Sequence, residues 1–184
     1  MKMLIRFSPF LLFVLLGRFV DWRLGVAAGL AASVLVILLV KPRRVGVVNG
    51  AMLGFFAAAG ALALVAPQTG VHPYLHAASA GWFALVAGIS VLVGHPFTLD
   101  FSRDAVSPEV AATPEFLAVN RAISTLWAMG FAVIAAATAV AAATNRDVLG
   151  VAAVVVVVVV LVKRTAAVTD GSHPAAADPA TGPA

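Results

Sequence analysis

Two stretches of this chain, residues 45–66 and 122–145, contain no ionisable side chain at all. Each is longer than the roughly 20 residues that cross a bilayer core of about 30 Å. That single feature removes most folds. Only 11% of the 184 residues are charged and 62% are hydrophobic, whereas a soluble domain is about 25% charged. So much apolar surface has to meet lipid. In lipid the backbone must satisfy its own hydrogen bonds, which leaves helices or closed barrels. The long uniform runs favour helices. The expected fold class is therefore all-α: a polytopic integral membrane helical bundle.

Six apolar segments are readable, at about 4–20, 24–40, 45–66, 77–94, 116–143 and 148–162. The first is short. Eleven uncharged residues separate Arg6 from Arg18, about 16 Å of helix. It spans only if both Arg side chains reach the headgroups. A cleaved signal peptide is the competing reading, but Arg18, Asp21, Trp22 and Arg23 stand where a small-residue cleavage site belongs. Placing the N-terminus inside and threading six spans puts Lys2, Arg6, Lys41, Arg43, Arg44, Arg103, Arg121, Lys163 and Arg164 on the cytoplasmic side. Arg18, Arg23 and Arg146 fall on the other. This positive-inside bias predicts six transmembrane helices with both ends cytoplasmic, N-in/C-in, over residues 1–164. The small, polar, Pro-containing residues 165–184 are expected to form a disordered cytoplasmic tail.

Composition also narrows function. The net charge of +4 resides in residues that flank apolar segments, and no basic stripe interleaved with aromatics exists, so nucleic acid is not an expected partner. With no Cys, disulfides and thiolate chemistry are excluded. His72 and His76 are four apart, but Pro73 lies between them and no HExxH pattern surrounds them. No metal and no cofactor is expected.

Residues 95–115 form the longest connection and contain two helix-start signals, SPE at 107–109 and TPE at 113–115. Each offers a hydroxyl N-cap, a Pro without an N–H at the first position, and a Glu facing the positive end of the helix dipole. Upstream, Gly94 and Pro96 punctuate the fourth span. On a helix from Pro96, Phe97 and Phe101 share a face, and Asp100, Arg103 and Asp104 share another. The expectation is a short, solvated interfacial segment anchored by Pro96, Phe97 and Phe101, with Asp100 and Arg103 spaced to pair and facing outward, at most as a docking surface.

The remaining candidate polar positions are Arg18, Asp21, Asn49, Asn120 and Trp127. Arg18 and Asp21 are spaced to neutralise each other beside Trp22, as an interface anchor or the mouth of a polar pathway. Asn120, Ser124 and Trp127 share one helix face, which suits helix packing or the lining of a cavity, with Asn49 as a partner for Asn120. Gly25/Gly29 and Gly50/Gly54 are GxxxG pairs that let helices approach closely. SPF at 8–10 and HPF at 95–97 raise the question of an inverted repeat.

Several of these elements occur together in a known order. They are a short first span with an early Pro (FSPFLLFVLL), the R-x-x-D of Arg18 and Asp21, an Ala-rich second span, the basic KPRRVG turn, the HPFTLDFSR loop, and FLAVNRAISTLWAMGF with Asn120 and Trp127. In this respect the chain resembles the intracellular septation protein A (YciB-type) family of bacterial inner-membrane proteins. Trp127 lies further from its Asn than is usual there, and shorter members lack the 107–113 insert and the tail. The resemblance implies a multi-pass inner (cytoplasmic) membrane protein linked to cell division and envelope integrity, without an established reaction. Its partners would be membrane lipids and division or envelope-synthesis membrane proteins. A homo-oligomer is also open. Two other classes compete. A small transporter or lipid flippase would gather Arg18, Asp21, Asn49 and Asn120 into one polar cavity. An intramembrane enzyme would rely on Asp100 and Asp104.

Overall fold

The computed structural model describes residues 2–39, 46–66 and 70–171, and describes side chains there except those of residues 2–6, Arg18 and Asp170. Every regular element among the described residues is helical. The helices are α1 (Lys2–Phe19), α2 (Trp22–Leu39), α3 (Val47–Val65), α4 (Leu75–Leu92), two single turns α5 (Leu99–Ser102) and α6 (Pro108–Ala111), α7 (Pro114–Ala143) and α8 (Asp147–Gly171). Short 3-10 turns occupy His72–Tyr74 and Arg103–Ala105.

Five helices are long and apolar enough to cross a membrane, those covering Trp22–Leu39, Val47–Val65, His72–Leu92, Pro114–Ala143 and Asp147–Thr169. They are compatible with a membrane helical bundle. α1 contributes a shorter apolar stretch, Phe7–Gly17. α7 is 30 residues long, about 45 Å of helix, and so outreaches a hydrocarbon core of about 30 Å. α8 runs further than its expected end at 162. Residues 165–171 are helical, and the Trp127 indole of α7 donates to Thr165 Oγ1 at 3.1 Å. Residues 165–171, expected as part of the tail, are thus the last turns of α8. The tail's residues 172–184 lie outside the described residues, as do Lys41, Arg43 and Arg44.

The helices pack most extensively as α1 on α2, α2 on α3, α4 on α7 and α7 on α8, with a thinner seam between α3 and α4. The result is two groups of three helices. One end of the bundle holds the stop of α2, the start of α3, the stop of α4 and the start of α7. The opposite end holds the α1–α2 turn, the His72–Tyr74 turn and the α7–α8 turn. The two tripeptides do not mark equivalent places, since Pro9 lies inside α1 whereas Pro96 follows the end of α4.

Aromatic rings fill the centre. Phe13 meets Phe55 and Phe56 edge-on at 6.0 and 5.5 Å, and Phe10 meets Phe83 of α4 at 6.1 Å and 87°. Such edge contacts suit the ring quadrupole. The Gly25/Gly29 pair works as a close-approach surface. A Cβ on Gly25 would lie 2.8 Å from Gly17 N and Phe13 O, and one on Gly29 would lie 2.5 Å from the Phe56 ring. Only a residue without a side chain lets α2 sit this close to α1 and α3 at those two points.

Candidate functional site

The chain leaves α4 through a C-terminal cap. Gly94 adopts φ 74°, while Gly94 N–H donates to Val91 O at 3.1 Å and His95 N–H to Ser90 O at 2.8 Å. Two bonds of this kind around a left-handed glycine close a helix. The turn aims the next residues back into the bundle. Pro96 is fully buried, and Phe97 and Leu99 are buried beside it. These residues therefore pack within protein. They do not form the expected headgroup-level anchor. Phe101 does meet α1, stacked on Phe7 at 6.0 Å and 14°.

The polar residues of this segment hold it on both sides. Thr98 Oγ1 donates to Asn120 O at 3.0 Å and lies 2.9 Å from Ser124 Oγ, while Thr98 N–H donates to Ser124 Oγ at 3.3 Å. Ser102 Oγ donates to Asn120 Oδ1 at 2.8 Å, and Asn120 Nδ2 donates to Phe116 O at 2.9 Å. Phe97 N–H donates to Ser90 Oγ at 3.1 Å. Asn120 and Ser124 are buried, and burial of such groups requires partners. Their partners are Thr98 and Ser102. The four residues form two i,i+4 pairs that face each other. Asn120 thus packs elements together, as expected, but with Ser102 as the partner and not Asn49.

Asp100 reverses its expected role. Its carboxylate accepts from Val48 N–H at 3.2 Å, across 52 residues, and lies against Gly46, where an added Cβ would be 2.5 Å from Oδ2. The first turn of α3 has unsatisfied N–H groups and the positive end of the helix dipole. Asp100 supplies an acceptor and a negative charge there, and Gly46 leaves the space. Asp100 faces inward, half-buried, whereas Arg103 is exposed. The outward pair Asp100/Arg103 is corrected on this geometry. Asn49 is the next residue of α3 after Val48. It is buried, and its Oδ1 has no hydrogen-bond partner.

Asp21 also serves as a cap, accepting at Oδ1 from Arg23 N–H at 2.8 Å and Leu24 N–H at 3.3 Å. The side chain of Arg18, its expected partner, lies outside the described residues. Near Asp21, Trp22 stacks with His72 at 6.3 Å, and the Arg23 guanidinium lies 5.4 Å from the Trp22 ring centre. His76 packs instead on Phe13 at 5.1 Å, so the two imidazoles engage different rings. Asp21 starts α2, while Asn49 and Asn120 stand at the opposite end of the bundle. Eighteen helical residues, about 27 Å, separate the two ends, so these positions do not share one cavity.

The caps at Ser107 and Thr113 form as the sequence predicts. Ser107 Oγ accepts from Val110 N–H at 3.5 Å and opens a single turn; Thr113 Oγ1 accepts from Phe116 N–H at 3.2 Å and opens α7. The Ser107 hydroxyl, and then the backbone of Glu109 itself, hold the exposed Glu109 carboxyl below its ordinary value. Four contributors escaped the sequence reading: Gly46, Ser90, Thr98 and Ser102. The equal spacing of Thr98/Ser102 and Asn120/Ser124 pointed to two of them, and no signal in the sequence pointed to Gly46 or Ser90. Among the described residues, no group of three His, Asp or Glu side chains is placed to hold a metal ion.

Comparison of the chain with protein-family models, with curated proteins and with solved structures yields no match.

Proposed function

We propose that this chain is a bacterial inner-membrane protein of the septation protein A type, which maintains the envelope or supports septation by binding other membrane proteins and carries out no reaction of its own. The observation that carries this reading is the use made of the polar residues. Asp21 and Asp100 cap helices, Asn120, Ser124, Thr98 and Ser102 bind one another, and Trp127 ties α7 to α8. These are the positions on which the family resemblance rests, and each acts in architecture. A chain built this way presents surfaces and shape to its neighbours.

The same reading takes α1 as a sixth span and places both ends in the cytoplasm. The end of the bundle where α4 stops and α7 starts carries Arg103, Arg121, Lys163 and Arg164, which fits the positive-inside bias. Cross-linking with mass spectrometry in native membranes tests the function. Division or envelope-synthesis proteins are the expected captures, and a cross-link map without them overturns the proposal. A reporter fused after residue 184 should be active only in the cytoplasm; activity outside overturns the six-span arrangement.

A further inference from the structure

The segment between α4 and the Arg103–Ala105 turn bridges the two helix groups where their seam is thin. On one side Asp100 holds the first turn of α3; on the other Thr98 and Ser102 hold α7. Its own backbone is anchored at Phe97 and Thr98 by side-chain hydroxyls, those of Ser90 and Ser124. It begins at the left-handed Gly94, a natural pivot. One residue along α3 from the Val48 amide that Asp100 holds is a buried acceptor without a partner, Asn49 Oδ1. A buried unsatisfied acceptor weighs against the state that buries it and favours one in which water reaches it.

We propose that residues 95–102 are a releasable strap. Closed, the strap clamps α3 to α7. Released about Gly94, it opens the α3–α4 seam at that end and admits water to Asn49 and to the hydroxyls of Ser90 and Ser124. Burial of Pro96, Phe97 and Leu99 keeps the closed state dominant, so the open state is the minor one. This inference is independent of the septation reading.

The chain contains no cysteine, which permits a clean test. A Cβ at Gly46 lies 2.8 Å from Asp100 Cγ, so sulfurs in the double variant Gly46→Cys/Asp100→Cys are within bonding reach. Hydrogen exchange is read by mass spectrometry in lipid nanodiscs. In the natural chain, peptides covering 97–102 should exchange faster than the core peptide 52–59 and independently of it. The oxidised double variant should slow 97–102 by about tenfold or more, because the lock removes local opening and leaves only wider unfolding. Asn49→Leu, which removes the orphan acceptor at similar volume, should slow it by about tenfold. If 97–102 and 52–59 exchange in step in the natural chain, the strap does not open separately and the proposal fails, whether or not the double variant folds. Failure of Asn49→Leu to slow exchange in a folded chain overturns the role given to Asn49.

Discussion

α3 and α8 are both apolar helices of membrane-crossing length, and they are held in opposite ways. In α3, 39% of the spanning window is buried within the protein; in α8 the share is 6%. α3 touches α1, α2, α4 and the strap residue Asp100, and each contact uses a particular group: the Phe55 and Phe56 rings against Phe13, the Phe56 ring against Gly29, the Ala51 carbonyl under the Trp82 indole, the Val48 amide on Asp100. Among the described residues, α8 leans chiefly on α7. It is fitted at Gly130, where Leu161 occupies the space of a side chain, and tied at Trp127 to Thr165. Most of its valines are exposed, while Val154, Val157 and Val168 are half-buried. Hydropathy therefore does not distinguish a central helix from a peripheral one. Small residues and placed polar groups do, because lipid is as apolar as leucine and supplies no drive for helices to associate.

The contrast can be broken most strongly in the core. Phe56→Ala should cost about 3–5 kcal/mol, measured by unfolding in mixed detergent, because the ring is fully buried among Phe13, Phe55 and Gly29. Val156→Ala in α8, where the side chain is 62% exposed, should change stability by less than about 0.5 kcal/mol. Equal losses would end the distinction between the two helices.

Glycines give the next largest difference. Gly25→Val drives a side chain into the α1 backbone and should destabilise by about 1–3 kcal/mol, with a matching fall in melting temperature. Gly88→Ala meets nothing within 4 Å and should be neutral or stabilising, since alanine loses less backbone freedom on folding. A neutral Gly25→Val would show that α1 and α2 do not pack at Gly17.

Polar ties rank below packing. Asp100→Ala removes the remote cap of α3 and should cost about 1–2 kcal/mol. Trp127→Phe keeps the ring contact with Phe131, loses the bond to Thr165, and should cost about 0.6 kcal/mol. Thermal melts in one detergent order the two, and a larger loss for Trp127→Phe would reverse the ranking of α3 over α8.

The smallest effect lies in the loop. Glu109 titrates below its ordinary value in the folded chain. Its contribution is therefore complete above pH 4.5 and disappears as the pH falls through the lowered folded value. Ser107→Ala should move the Glu109 carboxyl carbon titration upward in NMR and leave the melting temperature at neutral pH almost unchanged. A titration that stays in place would remove Ser107 as the cause.

Local signals were legible along the chain. The caps at Ser107 and Thr113, the stop at Gly94 and Pro96, and the close approach at Gly25 and Gly29 each depend on residues within a turn or two, or on the absence of a side chain. The end of α8 was less legible, because Thr165 is held by Trp127 on another helix. Asp21 read as an ion-pair partner of Arg18, although its place one residue before α2 is also that of an N-cap.

By itself the sequence determined the solvent, the helical class and where most helices start and stop. In lipid the backbone must satisfy its own hydrogen bonds, and uniform uncharged runs of this length favour helices over a closed barrel. It did not determine the direction of GHPFTLDFSRD. Read alone, its charges and its Phe residues suit a headgroup-level segment with an outward face. The tertiary structure turned that segment inward, because two needs arise only once the helices are assembled. The first turn of α3 lacks an acceptor, which Asp100 provides from 52 residues away. Buried Asn120 and Ser124 lack partners, which Thr98 and Ser102 provide.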